Sequence, residues 1–238
     1  MYSYLKDMLK HYLQGLIGLF YPRLCAVCGN ALYLNEEVLC LKCYAGLPRT
    51  GFHTDVENEV ARLFWGRIPV MQATAFIVFN KDSHYSSILH ELKYKGQRHI
   101  GMEMGRLFGL ELRGSPFAET DLIHPVPLHP GKLQKRGYNQ SELIAKGLSS
   151  VLQVPVMTGL VIRTLETGTQ TRKSRYERWE NVRGTFQVAR PELLLNKHVL
   201  LVDDVITTGA TIEACAESLL SISGVSVSIA SLAFTRLQ

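Results

Sequence analysis

The sequence predicts an α/β fold, a parallel sheet flanked by helices, with a small cysteine module ahead of it. Three observations carry this. Val199–Val202 is an unbroken run of Val and Leu, the pattern of a strand covered on both faces in a parallel sheet. Strand-like runs at 71–79, 121–128 and 154–163 alternate with segments of helical period. Four cysteines in two Cys-x-x-Cys pairs stand near the start of the chain. At 238 residues there is enough chain for a full core and a small module. The formal net charge of +5 permits an anionic ligand without predicting nucleic acid. No apolar run approaches the roughly 20 residues that span a bilayer, and there is no solenoid-period repeat.

Leu5, Leu9, Leu13, Leu16, Ile17 and Phe20 lie near one face of a helix that Pro22 would end, making 1–24 an amphipathic N-terminal helix. Lys6 and Lys10 ahead of an apolar patch resemble a signal peptide, but the patch is short and no A-x-A-like site follows. Docking on the protein itself or a partner is expected, with membrane-surface attachment as the alternative. Cys25, Cys28, Cys40 and Cys43 then define a module over 25–50. Two such knuckles wrap a tetrahedral metal with sulfurs at about 2.3 Å, and zinc is the usual occupant. Four thiolates leave no open position, so the site is predicted to be structural. Gly29 after the knuckle would let N–H groups turn toward sulfur. Disulfides are disfavoured because nothing marks the chain for export; iron is the alternative metal.

The main domain is expected over 51–238. Phe52–Arg67 has mixed charge and no clean period, and reads as a linker or capping segment. Met71–Phe79 reads as a strand, and His84–Tyr94 and Ile100–Leu112 as helices joined at Lys95-Gly96. Lys93, Lys95 and Arg98 gather at that joint and are assigned no more than a share in an anion-attracting rim. Asp121–Leu128 is a further strand, closed by prolines that cannot continue a central ladder. A Pro/Gly loop bearing Lys132, Lys135 and Arg136 follows, then the helix Ser141–Leu152. The end of such a strand is where an open α/β sheet places its ligands. Val154–Arg163 reads as a strand, and the polar, Arg-rich stretch from Thr164 to Phe186 as a mobile lid. Local pairing of its charges, as in Arg175 with Glu180, is the plainer alternative.

His198–Thr211 is the most informative stretch. After the apolar strand come Asp203 and Asp204, then Thr207-Thr208-Gly209-Ala210, then a helix over Thr211–Ser221 in which Cys215 reads as a small core residue. A helix N-terminus offers unpaired N–H groups and a positive dipole end, which suits a phosphate. Thr207, Thr208 and Thr211 add hydroxyls, and Gly209 permits close approach of the backbone. The carboxylates would repel a bare phosphate; they fit a ribose diol or a magnesium ion attached to it. A sugar phosphate satisfies both halves. A Walker B strand is the first alternative, but no G-x-x-x-x-G-K-[ST] lies upstream. An ordinary strand–turn–helix with a capping Thr is the second.

Asp-Asp, two apolar residues and Thr-Thr-Gly-Ala-Thr resemble the phosphoribosyl-pyrophosphate (PRPP) loop of type I phosphoribosyltransferases, and Pro125-Val126-Pro127 resembles their pyrophosphate loop. Pro-Val-Pro-Leu with Arg136-Gly137-Tyr138-Asn139-Gln140, then Gln170-Thr171, Arg178 and Asn181-Val182-x-Gly184-x-Phe186, is similar to the ComF/GntX-like family of zinc-finger-bearing competence proteins. With the four cysteines the resemblance runs from about Leu16 to the C-terminus. It implies a type I phosphoribosyltransferase-like parallel sheet flanked by helices, with a small N-terminal four-cysteine zinc module. It implies structural Zn²⁺ on Cys25, Cys28, Cys40 and Cys43, and Mg²⁺ with PRPP. PRPP would bind on Asp203, Asp204, Thr207, Thr208, Gly209, Ala210, Thr211, Lys132 and Lys135, with Asp203, Asp204, Arg136 and Arg178 as the catalytic set. A cytoplasmic protein linked to natural transformation, with a DNA-uptake helicase and single-stranded DNA as partners, is the wider expectation. Relatives acting on hypoxanthine or guanine carry an Asp, a candidate general base, where Thr207 stands; purine-ring deprotonation is therefore not provided here. The alternative is a non-catalytic adaptor that uses the same loop for a nucleotide or DNA phosphate.

Overall fold

The computed structural model describes residues 21–94, 96–164 and 185–236. Residues 1–20 of the expected N-terminal helix, Arg178, and the expected lid between Thr164 and Thr185 lie outside these, while Phe186 opens a strand rather than ending a lid. The chain divides into two compact units between Leu47 and Pro48. Among its described residues the smaller holds the four cysteines, an antiparallel bridge from Leu24 to Ala31, and a short helix, α1 (Leu41–Ala45).

The larger unit runs α2 (Glu59–Arg62), β1 (Gln72–Val78), α3 (Ser86–Tyr94), α4 (Arg98–Leu112), β2 (Leu122–Pro125), α5 (Pro130–Arg136), α6 (Gln140–Leu152), β3 (Val161–Arg163), β4 (Phe186–Val188), β5 (His198–Ile206), α7 (Ala210–Leu220) and β6 (Ser226–Phe234). Strands β1, β6, β5 and β2 lie side by side in that order, all parallel. β5 is therefore interior, and Val199–Val202 are fully buried, as an unbroken apolar run requires. Val199 and Leu201 pack in one cluster with Ile212, Cys215 and Leu219 of α7, which places Cys215 in the core.

Three expectations need correction. Phe52–Arg67 is no linker: Val60, Ala61 and Phe64 are buried in the main core. Its period is unreadable because short turns are each anchored by single residues. Buried Asn58 accepts from the N–H groups of Val60 and Ala61 at 2.9 and 3.0 Å and donates to the carbonyl of Ala73 at 2.8 Å. The stretch Val154–Arg163 is not one strand. Val156 makes one parallel bridge to Ile123, Gly159 turns the chain at φ 71, and only Val161–Arg163 pairs, antiparallel, with β4. The cationic loop after β2 is the helix α5, with Pro130 in its first turn and Gly137 ending it at φ 73, the usual Pro-first, Gly-last order.

α4 and α6 touch backbone to backbone. A Cβ on Gly105 would lie 2.2 Å from the carbonyl oxygen of Ile144, and one on Gly147 2.1 Å from that of Met102. This contact sets the start of α6 beside the carboxyl ends of the strands. Gly105→Ala or Gly147→Ala should lower unfolding free energy by about 2–3 kcal/mol through overpacking, despite a gain of about 1 kcal/mol in helix propensity. Denaturant unfolding checks this; an unchanged midpoint would mean the helices part freely.

Candidate functional site

Asp203 and Asp204 do not follow β5 but lie within it, Asp203 opposite Ser231 and the pairing continuing to Ile206. Adjacent strand residues point to opposite sides, and each carboxylate meets a different element. Asp203 Oδ1 accepts from Ser141 Oγ at 3.0 Å and from the Asp204 N–H at 2.8 Å. Asp204 Oδ2 pairs with Lys93 Nζ at 2.9 Å. Burial, with the neighbouring Asp204 charge, pushes Asp203 up to about 7 against the pull of these hydrogen bonds and of Lys93.

The loop after β5 leads into α7 through Gly209, whose φ of 78 suits glycine. A Cβ there would stand 3.1 Å from the Phe64 ring, so the loop rests directly on the core. Thr207 and Thr208 are exposed, and Ala210 and Thr211 partly so. Arg67 braces the loop. It donates to the carbonyls of Leu63 and Thr208 at 2.9 and 3.4 Å, and grips buried Glu213 of α7 with Nε at 3.0 Å and a second nitrogen on Oε2.

On the other side, Lys132, Lys135 and Arg136 line a cleft of about 300 Å³ with Lys93, Gly96 and Tyr138. The Arg-Gly-Tyr-Asn-Gln run builds its wall. Arg136 donates to Gln140 Oε1 at 2.8 Å, and Tyr138 OH donates to the Leu92 carbonyl at 2.5 Å. Asn139 caps α6 through Ser141 N–H at 3.1 Å and donates to the Val126 carbonyl at 3.0 Å. Arg98 covers the Tyr138 ring at 5.1 Å and donates to the Gly137 carbonyl at 3.0 Å. Acid pair, loop and α5 cations are thus all present in the larger unit. Arg67 and Ser141 are the residues sequence reasoning missed, and Lys93, expected only as part of an anion-attracting rim, also pairs with Asp204. Lys93 stood in a visible charge cluster, whereas nothing local marks Arg67, whose partner is 146 positions away.

In the smaller unit the sulfurs of Cys25, Cys28, Cys40 and Cys43 lie within 4.8 Å of one another, and none of the four is in a disulfide. Cys28 and Cys40 Sγ are 3.7 Å apart, close to the edge of about 3.8 Å for a tetrahedron with 2.3 Å metal–sulfur bonds. The donor set fits a metal such as zinc. Burial raises the Cys25 thiol, but backbone hydrogen bonds from Cys28, Cys40 and Val27 outweigh it and bring it to about 7. Burial and the neighbouring sulfurs raise Cys43. The Cys40 N–H donates to Cys25 Sγ at 3.3 Å, while Gly29, at φ 72, donates to the Cys25 carbonyl at 2.9 Å. Gly29 therefore makes the turn, and Cys40 supports the sulfur.

The phosphoribosyl transferase domain family matches residues 139–237, the second half of the larger unit. "DNA utilization protein YhgH" of Escherichia coli K12 is 30% identical over 201 residues, covering 83% of this chain and 84% of that protein. "Competence protein F" of Haemophilus influenzae is 31% identical over 212 residues, covering 84% and 92%. The chain belongs to this ComF-like family of competence and DNA-utilization proteins. The adenine phosphoribosyltransferase of Thermoanaerobacter pseudethanolicus aligns at a TM-score of 0.38 and 19% identity, over 63% of this chain and 84% of that one. No helix among the described residues is long and apolar enough to cross a membrane.

Two outcomes are expected. Because folding raises the Asp203 pKa, the unfolded chain releases that proton first, so this group makes stability fall as pH rises from about 4 to about 7. Urea unfolding should show Asp203→Asn gaining stability relative to the wild type across that window; a constant difference would contradict the raised pKa. Metal analysis should return about one zinc per chain, reduced in Cys43→Ser, and a folded, metal-free protein would refute the site.

Proposed function

We propose that the protein binds PRPP with Mg²⁺ at the carboxyl ends of β2 and β5 and transfers its phosphoribosyl group. The observation that carries this reading is Lys93, which pairs with Asp204 and also lines the cationic cleft. It makes the acid pair and the α5 cations neighbours in one site, at the strand ends where such sheets bind ligands.

The roles follow from charge. N–H groups and hydroxyls of Thr207, Thr208, Gly209, Ala210 and Thr211 take the 5′-phosphate at the start of α7. Asp203 and Asp204 accept from the ribose hydroxyls. Lys132, Lys135 and Arg136 hold the diphosphate as it leaves, and Arg178 is assigned to the same anion from the proposed lid. Mg²⁺, when bound, neutralises the diphosphate, and carboxylates beside sugar hydroxyls suit so hard a cation. As the C1–O bond breaks, positive charge grows on the ribose ring, and the two carboxylates favour it. The acceptor attacks C1 from the opposite face. Thr207 offers no carboxylate to deprotonate a purine ring, so an amine or pyrimidine acceptor fits better.

Residues 1–24, 25–50 and 51–238 are proposed as helix, zinc module and phosphoribosyltransferase-like domain. The relatives' names, DNA utilization and competence, support a link to DNA uptake; a cytoplasmic location, with a DNA-uptake helicase and single-stranded DNA as partners, is proposed with it. A second reading, a non-catalytic adaptor for DNA phosphates, rests on the cleft, whose lysines would serve any phosphate.

Titration calorimetry with PRPP–Mg²⁺, paired with an assay of diphosphate release, separates the two. Asp203→Asn/Asp204→Asn should weaken binding about a hundredfold, as expected for two lost charged hydrogen bonds. No PRPP binding by the wild type would sink the proposal. Salt-dependent binding of single-stranded DNA that survives the double substitution would favour the adaptor.

A further inference from the structure

Lys93 is held between the two halves of the site. Its side chain is 24% exposed and that of Asp204 16%, so the pair at 2.9 Å is largely withdrawn from water. The end of α3 that carries it is clamped from beyond the cleft. Tyr138 OH holds the Leu92 carbonyl, and Arg98 holds both the Tyr138 ring and the Gly137 carbonyl. The backbone at Lys93 is thereby fixed, while its four-carbon stem can turn the ammonium from Asp204 toward Lys132, Lys135 and Arg136 across the cleft.

Resting on the PRPP reading, we propose that Lys93 is a specificity-determining residue that selects ligands bearing a diphosphate over those bearing ribose 5-phosphate alone. A ribose diol that reaches Asp204 competes with Lys93 for the carboxylate. Displacing the ammonium without a new partner strands a charge in a partly dehydrated place, which is costly. A diphosphate in the cleft supplies that partner, so one ion pair is exchanged for another. Ribose 5-phosphate supplies none and must break the pair outright. Lys132, Lys135 and Arg136 add attraction for the diphosphate, whereas Lys93 also imposes a penalty on ligands that lack it. Selection by such a penalty is distinct from selection by added contacts.

The test is titration calorimetry of the full chain with PRPP–Mg²⁺ and, separately, ribose 5-phosphate–Mg²⁺. Lys93→Met should bind PRPP about tenfold more weakly, the scale of one charge pair. It should bind ribose 5-phosphate as well as or better than the wild type, so the preference collapses. Lys93→Arg should keep most of the preference. Lys132→Met should weaken PRPP without improving ribose 5-phosphate. An unchanged preference in Lys93→Met, or equal weakening of both ligands, overturns the inference. Should Lys93→Met not fold, Lys93→Gln makes the same comparison. A wild type that binds neither ligand refutes the PRPP reading itself, which these outcomes keep separate.

Discussion

Two carboxylates on adjacent residues of an interior strand repel each other, and much of the larger unit serves to hold them there. Asp203 is held by a hydroxyl from α6 and by the next backbone N–H, and Asp204 by an ammonium from α3. α6 is seated by its contact with α4, where Gly105 and Gly147 leave no side chain between the two backbones. A substitution far from any ligand would therefore reach the acid pair through helix position. Burial first, and the neighbouring Asp204 charge second, show in the raised Asp203 pKa.

The phosphate loop is built for rigidity by other means. Phe64 supports Gly209 from below, and Arg67 ties the Thr208 carbonyl to buried Glu213 in the first turn of α7. A loop that presents N–H groups to an anion gains from being arranged in advance, since ordering it on binding would weaken affinity. The acid pair and the loop are thus positioned from different elements, α3 and α6 for one and the segment around α2 for the other. The α5 cations form a third part, joined to the first through Lys93.

Much of this was legible in the sequence, and the exceptions have physical causes. The β5 run and the α7 period were readable because burial on both faces of a strand and one face of a helix leaves regular patterns. The two cysteine pairs were readable because metal ligation fixes spacing. Phe52–Arg67 shows no period because single anchors such as Asn58 and Phe64 fix its short turns. Pro130 and Gly137 mark the two ends of α5, but its 7 residues are too few to show a helical period. The pairing of Lys93 with Asp204, and of Arg67 with Glu213, joins residues more than a hundred positions apart. No local pattern encodes such pairs; only the packing of the sheet and its helices brings them together.

The most direct test of a PRPP site at the end of β5 is a crystal structure of the protein grown with PRPP and Mg²⁺. Oxygens of the 5′-phosphate should lie about 2.7–3.2 Å from backbone nitrogens within Thr207–Thr211. The ribose hydroxyls should lie on Asp203 and Asp204, with the diphosphate toward Lys132, Lys135 and Arg136. A ligand seated elsewhere, or one whose ribose leaves both carboxylates untouched, would contradict it.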